Sequence, residues 1–285
     1  MVKFKNQHWL PACYMKFFAI GGNPDGRKTK IFYSNATECK IKTVNKLSCA
    51  NYHYSSHDPE GAESSFHEME NDYPRIVSKI LAHEDLKKSE YYGIILTMID
   101  FHARNPSYEN LTQEENYRAF ELVSRGLMAE FFKNLNGGAT NKEDMKSFLE
   151  ENWVLQPVFS NTEELISSDH PSLLFSINGE LAFSFLPISP HYGVIATNKN
   201  LVTITGNTVT ENDNSYLNAL QVARCINYVY SDHDLTGYIG AGKIITKWFA
   251  REKFKGYVDG AVWKPEYLEY GSKFPTEFSF LEIVK

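Results

Sequence analysis

The spacing of apolar residues changes at Trp153, and no other feature constrains the fold of this chain as strongly. Before that point hydrophobic side chains recur at steps of three and four, which places them on one stripe of a helix. Phe66, Met69, Tyr73, Ile76, Val77 and Ile80 make the first stripe. The segment from Tyr91 to Arg104 carries Ile94, Ile95, Met98, Ile99 and Phe101, an almost unbroken apolar run that suits a helix buried over most of its surface and stopped by Pro106. Thr112-x-x-Glu115 and Thr140-x-x-Glu143 read as capping boxes that open two more helices. The first of these keeps its stripe through Tyr117, Phe120, Val123, Leu127, Phe131 and Leu135 and stops at Asn136-Gly137-Gly138. After Trp153 the runs are short and β-rich, at 153–156, 172–177, 182–186, 193–196 and 201–205, with turn residues such as Asn178-Gly179 between them.

The expected architecture is therefore α+β, with a helical bundle over about 61–152 packed against a mainly antiparallel β region over about 153–210. A further helix starts near Asp213 with Leu217, Leu220, Ile226 and Val229, and a mixed aromatic tail follows from Gly237. The opening block 6–19 is dense in aromatic residues and is expected to be buried against both parts, with a short helix after Pro11. Residues 30–33 and 39–42 alternate polar and apolar side chains about Asn35 and fit a small hairpin. No repeat or low-complexity linker divides the chain, so residues 1–285 are expected to form a single α+β domain.

Composition narrows the function classes. A hydrophobic share of 42% rules out a disordered chain, and a net charge of -6 argues against indiscriminate binding to nucleic acid or anionic membrane. Cys13, Cys39, Cys49 and Cys225 have no C-x-x-C spacing and no secretory signal precedes them, which points to reduced thiols in a cytoplasmic protein. No run approaches the roughly 20 apolar residues that span a bilayer, so no membrane partner is expected.

Glu63, His67 and Glu70 recur at i, i+4 and i+7 beside the first apolar stripe, so two carboxylates and an imidazole share one face. Such a face can hold a divalent metal or share a proton, and it can equally be a solvated polar face. If the next helix packs antiparallel, Asp100 and His102 at its end could add ligands. The spacing is not that of the His-Glu-x-x-His zinc proteases. Arg104 at a helix end can clamp a phosphate or carboxylate bidentately, or pair with Glu63 or Glu70 and tie down the helix terminus. His8 is either a general acid or base or a hydrogen-bonded structural histidine. His53 and His57 give only a weak ligand signal, and Asp169-His170-Pro171 and Asp232-His233-Asp234 read as turn and capping segments. Gly237-x-x-x-x-Gly242-Lys243 is not a phosphate loop, because Ile244 stands where the metal-binding hydroxyl would be and the preceding residues are polar.

Several of these segments together resemble one family. His8-Trp9-Leu10-Pro11 followed by Tyr14-Met15-Lys16-Phe17-Phe18 is similar to the opening of the bacterial domain of unknown function 4238 family. Tyr52 or Tyr54 and then Glu63 and Glu70 match its next elements, and Arg104-Asn105-Pro106 matches its Arg-Thr-Pro with Asn in place of Thr. Ser168-Asp169-His170-Pro171, Pro187-Ile188-Ser189-Pro190 and Asn218-Ala219-Leu220-Gln221 follow in the family's order, while His67 lies outside its pattern. The resemblance runs over roughly residues 6 to 232 and implies roles for His8, Glu63, Glu70 and Arg104.

The leading expectation is a hydrolase or nuclease-like effector acting on a phosphate-containing substrate, a nucleotide or nucleic acid, in a defence or toxin setting. His8, Glu63, Glu70 and Arg104 would carry the catalysis, and Glu63, His67 and Glu70 any divalent metal. The alternative is a non-enzymatic interaction or regulatory protein in which these residues form a buried structural network. Either way, Glu63, Glu70 and Arg104 are expected to meet in one cleft with His8 nearby.

Overall fold

A computed structural model of the chain describes residues 6–22, 29–35, 38–51, 59–104, 113–133, 142–161, 164–225, 227–236, 268–269 and 278–284. The chain opens with strand β1 (Asn6–His8), helix α1 (Ala12–Met15) after Pro11, hairpin strands β2 (Lys30–Ser34) and β3 (Cys39–Thr43), and β4 (Cys49–Asn51). Four helices follow: α2 (Pro59–Leu81), α3 (Lys88–Ala103), α4 (Gln113–Phe131) and α5 (Lys142–Asn152). Strands then take over at Trp153 with β5 (Trp153–Ser160), β6 (Ser167–Ser168), β7 (Leu173–Ile177), β8 (Glu180–Ser189), β9 (Tyr192–Asn198), β10 (Val202–Ile204) and β11 (Thr208–Val209). Helix α6 (Glu211–Arg224), β12 (Val229–Ser231), β13 (Leu268–Glu269) and β14 (Leu281–Ile283) complete the described elements. The fold is α+β with mainly antiparallel sheets.

Local chemistry explains most boundaries. Asn178 and Gly179 both take positive φ, 54° and 77°, the conformation of a tight turn matching the twist of β7 and β8. Thr210 caps α6 by accepting the Asp213 amide, and Asp213 returns a bond to the Thr210 amide. Helix α4 is shorter than its apolar spacing predicts. It stops at Phe131 rather than running to Leu135, and the Phe131 carbonyl there accepts the Trp153 indole N–H at 3.0 Å. That tertiary bond satisfies one of the terminal carbonyls that another turn of helix would otherwise have used.

A six-stranded sheet in the order β11-β5-β9-β8-β7-β13 separates two apolar layers. On one face Leu174, Leu186, Ile188, Val194 and Ala196 join a core with Ile76, Val77, Ile94, Met98, Leu127 and Leu149 from the helices. On the other, Phe175, Phe183, Phe185 and Ile195 pack with Leu217 of α6 and with Phe278 and Phe280 near the chain end. Central strand β8 is thus buried on both sides, which is why its sequence reads as a continuous apolar run. Gly193 on β9 lies under the Phe185 ring: a Cβ there would meet Phe185 Cε2 at 2.5 Å. Gly193→Ala is expected to cost about 1–3 kcal/mol through overpacking, read as a lower urea midpoint at unchanged slope.

Helices α2 and α3 run antiparallel, and charges fix both ends of the pair. At one end Glu90, 1% exposed, accepts from Lys79 Nζ at 2.8 Å, the Lys87 amide at 2.8 Å and Arg75. Burial pushes this carboxyl up, but the Lys79, Lys87 and Arg75 donors outweigh burial and hold it at about 2. At the other end Arg104, closing α3, meets Glu70 of α2. The opening block is wedged alongside. Tyr14, fully buried, packs edge-on against Phe101 and donates to the Pro187 carbonyl at 2.7 Å, so one side chain joins α1, α3 and β8. Antiparallel pairing of β1 with β4, continued by the Trp9 amide bonding to the Ser48 carbonyl at 2.9 Å, sets His8 in place.

Candidate active site

The Arg104 guanidinium is completely buried, with Nη1 donating to Glu70 Oε1 at 2.8 Å and Nε paired with Asp100 Oδ2 at 2.7 Å. Asp100 lies one turn earlier on α3, so the helix itself supplies that pair. The Glu70 side chain is 29% exposed and that of Asp100 15%, which makes Glu70 the member of the trio most open to solvent. Pro74 inside α2 has no N–H for the Glu70 carbonyl, so the regular helix bonding is broken at the residue that reaches Arg104. That proline stood in the sequence as the one local irregularity of an otherwise periodic helix.

His8 lies within electrostatic reach of both Glu70 and Arg104. Its ring bonds to the Asn45 backbone, and Nε2 is buried with no hydrogen-bond partner among the described residues. The proton therefore sits on Nδ1, donated to the Asn45 carbonyl, and Nε2 keeps its lone pair. Burial lowers the His8 pKa, with Glu70 pulling up and Arg104 pushing down, so the ring is neutral at pH 7. Burial raises Asp100 to about 6 despite the adjacent Arg104. Cys13, next to the same cluster, is pushed by burial to about 12, so its thiol stays protonated and is a poor nucleophile.

The structure thus brings Glu70, Arg104 and His8 together and adds Asp100. The Glu63 side chain lies outside the described residues, although its backbone belongs to α2, and His67 is exposed to solvent. His102, weighed as a ligand from the facing helix, goes elsewhere. It packs tilted against His170 at 4.6 Å between ring centroids, its Nδ1 lies 3.2 Å from the Ser172 carbonyl, and His170 Nε2 lies 3.0 Å from the His102 carbonyl. Burial, then the neighbouring imidazole and Arg224, depress His102, and burial with Arg224 holds His170 at about 3.

Among the described residues the side chains with metal-ligand spacing are Glu164, Asp232 and His233, whose ligand atoms lie within 4.8 Å of one another. An ion-pair clamp already accounts for this geometry: His233 Nδ1 is 2.5 Å from Glu164 and 2.9 Å from Asp232, and the bond to Asp232 is the main cause of its raised pKa. The sequence reading of 232–234 as a capping turn covers Asp234, which accepts from the Thr236 amide and hydroxyl. It missed the clamp, because Glu164 comes from a distant segment. His53, His57 and residues 237–243 lie outside the described residues.

The remaining segments singled out by sequence brace one another. Ser168 donates to Gln221 Oε1 at 2.7 Å and Gln221 Nε2 to the Pro171 carbonyl at 2.8 Å. Asn218 accepts the Ile166 amide at 3.0 Å and donates to the Glu164 carbonyl at 2.9 Å. Asp169 accepts the amides of Asn227 and Tyr228. These are buried polar groups satisfied across sequence-distant segments, an arrangement that fixes backbone geometry.

The class defined here is an α+β protein in which short polar segments knit sheet to helix and a His–Glu–Asp–Arg cluster sits where α2, α3 and the opening strand meet. The chain belongs to the family described as Protein of unknown function (DUF4238), whose model matches residues 6–234. Searches of the curated proteins and of the solved structures find no match. Among the described residues no helix is long and apolar enough to cross a membrane.

Proposed function

We propose that His8, Glu70, Asp100 and Arg104 form the acid–base centre of a hydrolase acting on a phosphate-containing substrate such as a nucleotide or nucleic acid. The observation that carries this reading is the buried Nε2 of a neutral His8, without a hydrogen-bond partner among the described residues, beside a carboxylate–guanidinium–carboxylate trio. A neutral imidazole with a free lone pair is a competent base for water, and a carboxyl held at about 6 can return a proton near neutral pH. Arg104 acts as countercharge to the two carboxylates. A phosphate reaching it would replace Glu70 on Nη1, freeing the Glu70 carboxylate at the rim. Glu63 belongs to the proposal through its position on α2, and a divalent metal would draw on Glu63 and Glu70. A role as a bacterial defence or toxin effector fits such an activity.

One observation favours a second reading: Arg104 is 0% exposed and engages two carboxylates, as in a purely structural network that fixes α2 against α3. A hydrolysis panel of phosphomonoesters, phosphodiesters, nucleotides, RNA and DNA, with Mg²⁺, Mn²⁺ or Zn²⁺ and without metal, separates the two. Under the enzyme reading His8→Asn lowers turnover about 100-fold or more with a melting temperature near that of the parent. No turnover of any substrate by the intact protein, together with a large stability loss in Glu70→Gln, would leave the interaction-protein reading standing.

A further inference from the structure

We infer that a second cavity, formed where the end of α2 meets the β5–β9 face of the sheet, binds a small organic cation of the alkyl- or quaternary-ammonium class. It shares no residue with the His8–Glu70–Asp100–Arg104 cluster and has a volume of about 240 Å³, enough for a few heavy atoms beyond an ammonium head. Three aromatic side chains line it, Tyr91, Phe159 and Tyr192, and all three are only partly buried, so ring surface is available to a ligand. Glu84 and Asp85 line it too, are exposed, and form no ion pair among the described residues. Among the described residues the lining contains neither lysine nor arginine.

That combination selects the ligand's charge. Aromatic faces attract cations through their quadrupole, and two unpaired carboxylates at the same mouth attract positive and repel negative charge. A phosphate or carboxylate ligand would meet repulsion from both carboxylates. A neutral apolar ligand would gain the ring contacts and nothing from the carboxylates.

His83, also in the lining, shows how the wall is held. It closes α2 at φ 56°, a position helices usually give to glycine, with its amide bonded to the Ile80 carbonyl and the Glu84 amide to the Lys79 carbonyl. A side chain in this conformation costs stability that glycine would not. Here the side chain is used: the ring sits edge-on to Tyr192 at 5.9 Å and Nε2 lies 3.3 Å from the Tyr192 hydroxyl. The same turn carries Glu84 and Asp85 to the rim.

Titration calorimetry with phenethyltrimethylammonium and its uncharged carbon isostere tests the assignment on the full chain. Saturable binding of the cation, at least about tenfold tighter than the isostere and weakening with added salt, is the expected result. Glu84→Gln/Asp85→Asn, at exposed positions whose folding is secure, is expected to weaken the cation about tenfold and leave the isostere unchanged. Tyr192→Leu weakens both, with a melting curve to establish that the variant is folded. Equal binding of cation and isostere, no saturable binding, or full affinity in the doubly neutralised variant would overturn the proposal.

Discussion

Arg104→Met is expected to destabilise the protein by about 3–5 kcal/mol, because it leaves the Asp100 and Glu70 carboxylates facing each other without their shared cation. For a chain of this size that is a fall in melting temperature of roughly 6–15 °C. The loss is not simply a missing contact. Removing both charges together is far cheaper than removing one, so Arg104→Met/Asp100→Asn should recover a good part of the stability. A double-mutant cycle with a coupling energy below about 0.5 kcal/mol would show that the guanidinium does not hold α3 to its own last turn. In the enzyme reading the rescued double variant is stable and inactive, whereas in the interaction-protein reading it keeps whatever partner the parent binds.

The second large effect is acid sensitivity beginning near pH 6.5. His102 and His170 both have pKa values depressed in the folded state, His170 to about 3, so the unfolded chain takes up their protons first as pH falls. Their contribution is therefore complete above pH 6.5 and is lost on descending from there towards 3, at about 1.4 kcal/mol per pH unit for each fully displaced histidine. Asp100 works in the opposite sense. Its folded pKa of about 6 lies above the ordinary 3.8, so between those values the folded state holds the proton and gains stability as pH falls. His8 is depressed in the same way, so one carboxyl against three imidazoles leaves a net loss below pH 6.5. Glu90, held at about 2 against an ordinary 4.5, contributes no slope above the ordinary value and adds to the loss below it. Urea midpoints should fall steadily from pH 6.5 to 4.5, less steeply in His170→Gln and more steeply in Asp100→Asn. A parent profile flat across that range would refute the buried-neutral state of the pair.

Much of the fold could be read from periodicity and a few local signals. The change at Trp153, the stripes of α2 and α3, the Asn178-Gly179 turn and the return of a helix near Asp213 depend on interactions among near neighbours or on a repeat that must face some core. Glu70 and Arg104 could be placed in one region because a short connection between two amphipathic helices favours an antiparallel pair. Asp100 was visible only as a candidate ligand, and its pairing with Arg104 follows from the one-turn spacing once the helix is known to be buried there.

What the sequence by itself determined, then, is roughly where helices α2 to α6 and strands β5 and β7 to β10 lie and which faces are apolar, since both follow from spacing along the chain; Val229, read as part of the last helix, lies in β12. Tertiary structure alone decided the rest, because burial and partner choice are properties of segments far apart in sequence. It buried Arg104 between two carboxylates, turned His8 Nδ1 to the Asn45 carbonyl so that Nε2 has no partner among the described residues, and sent His102 to His170 rather than to the cluster. It also paired β12 with β2 and β6, and brought Glu164 to His233, contacts with no signature in either segment. Protonation states depend on desolvation and on charges a few ångströms away, and neither exists until the chain has folded.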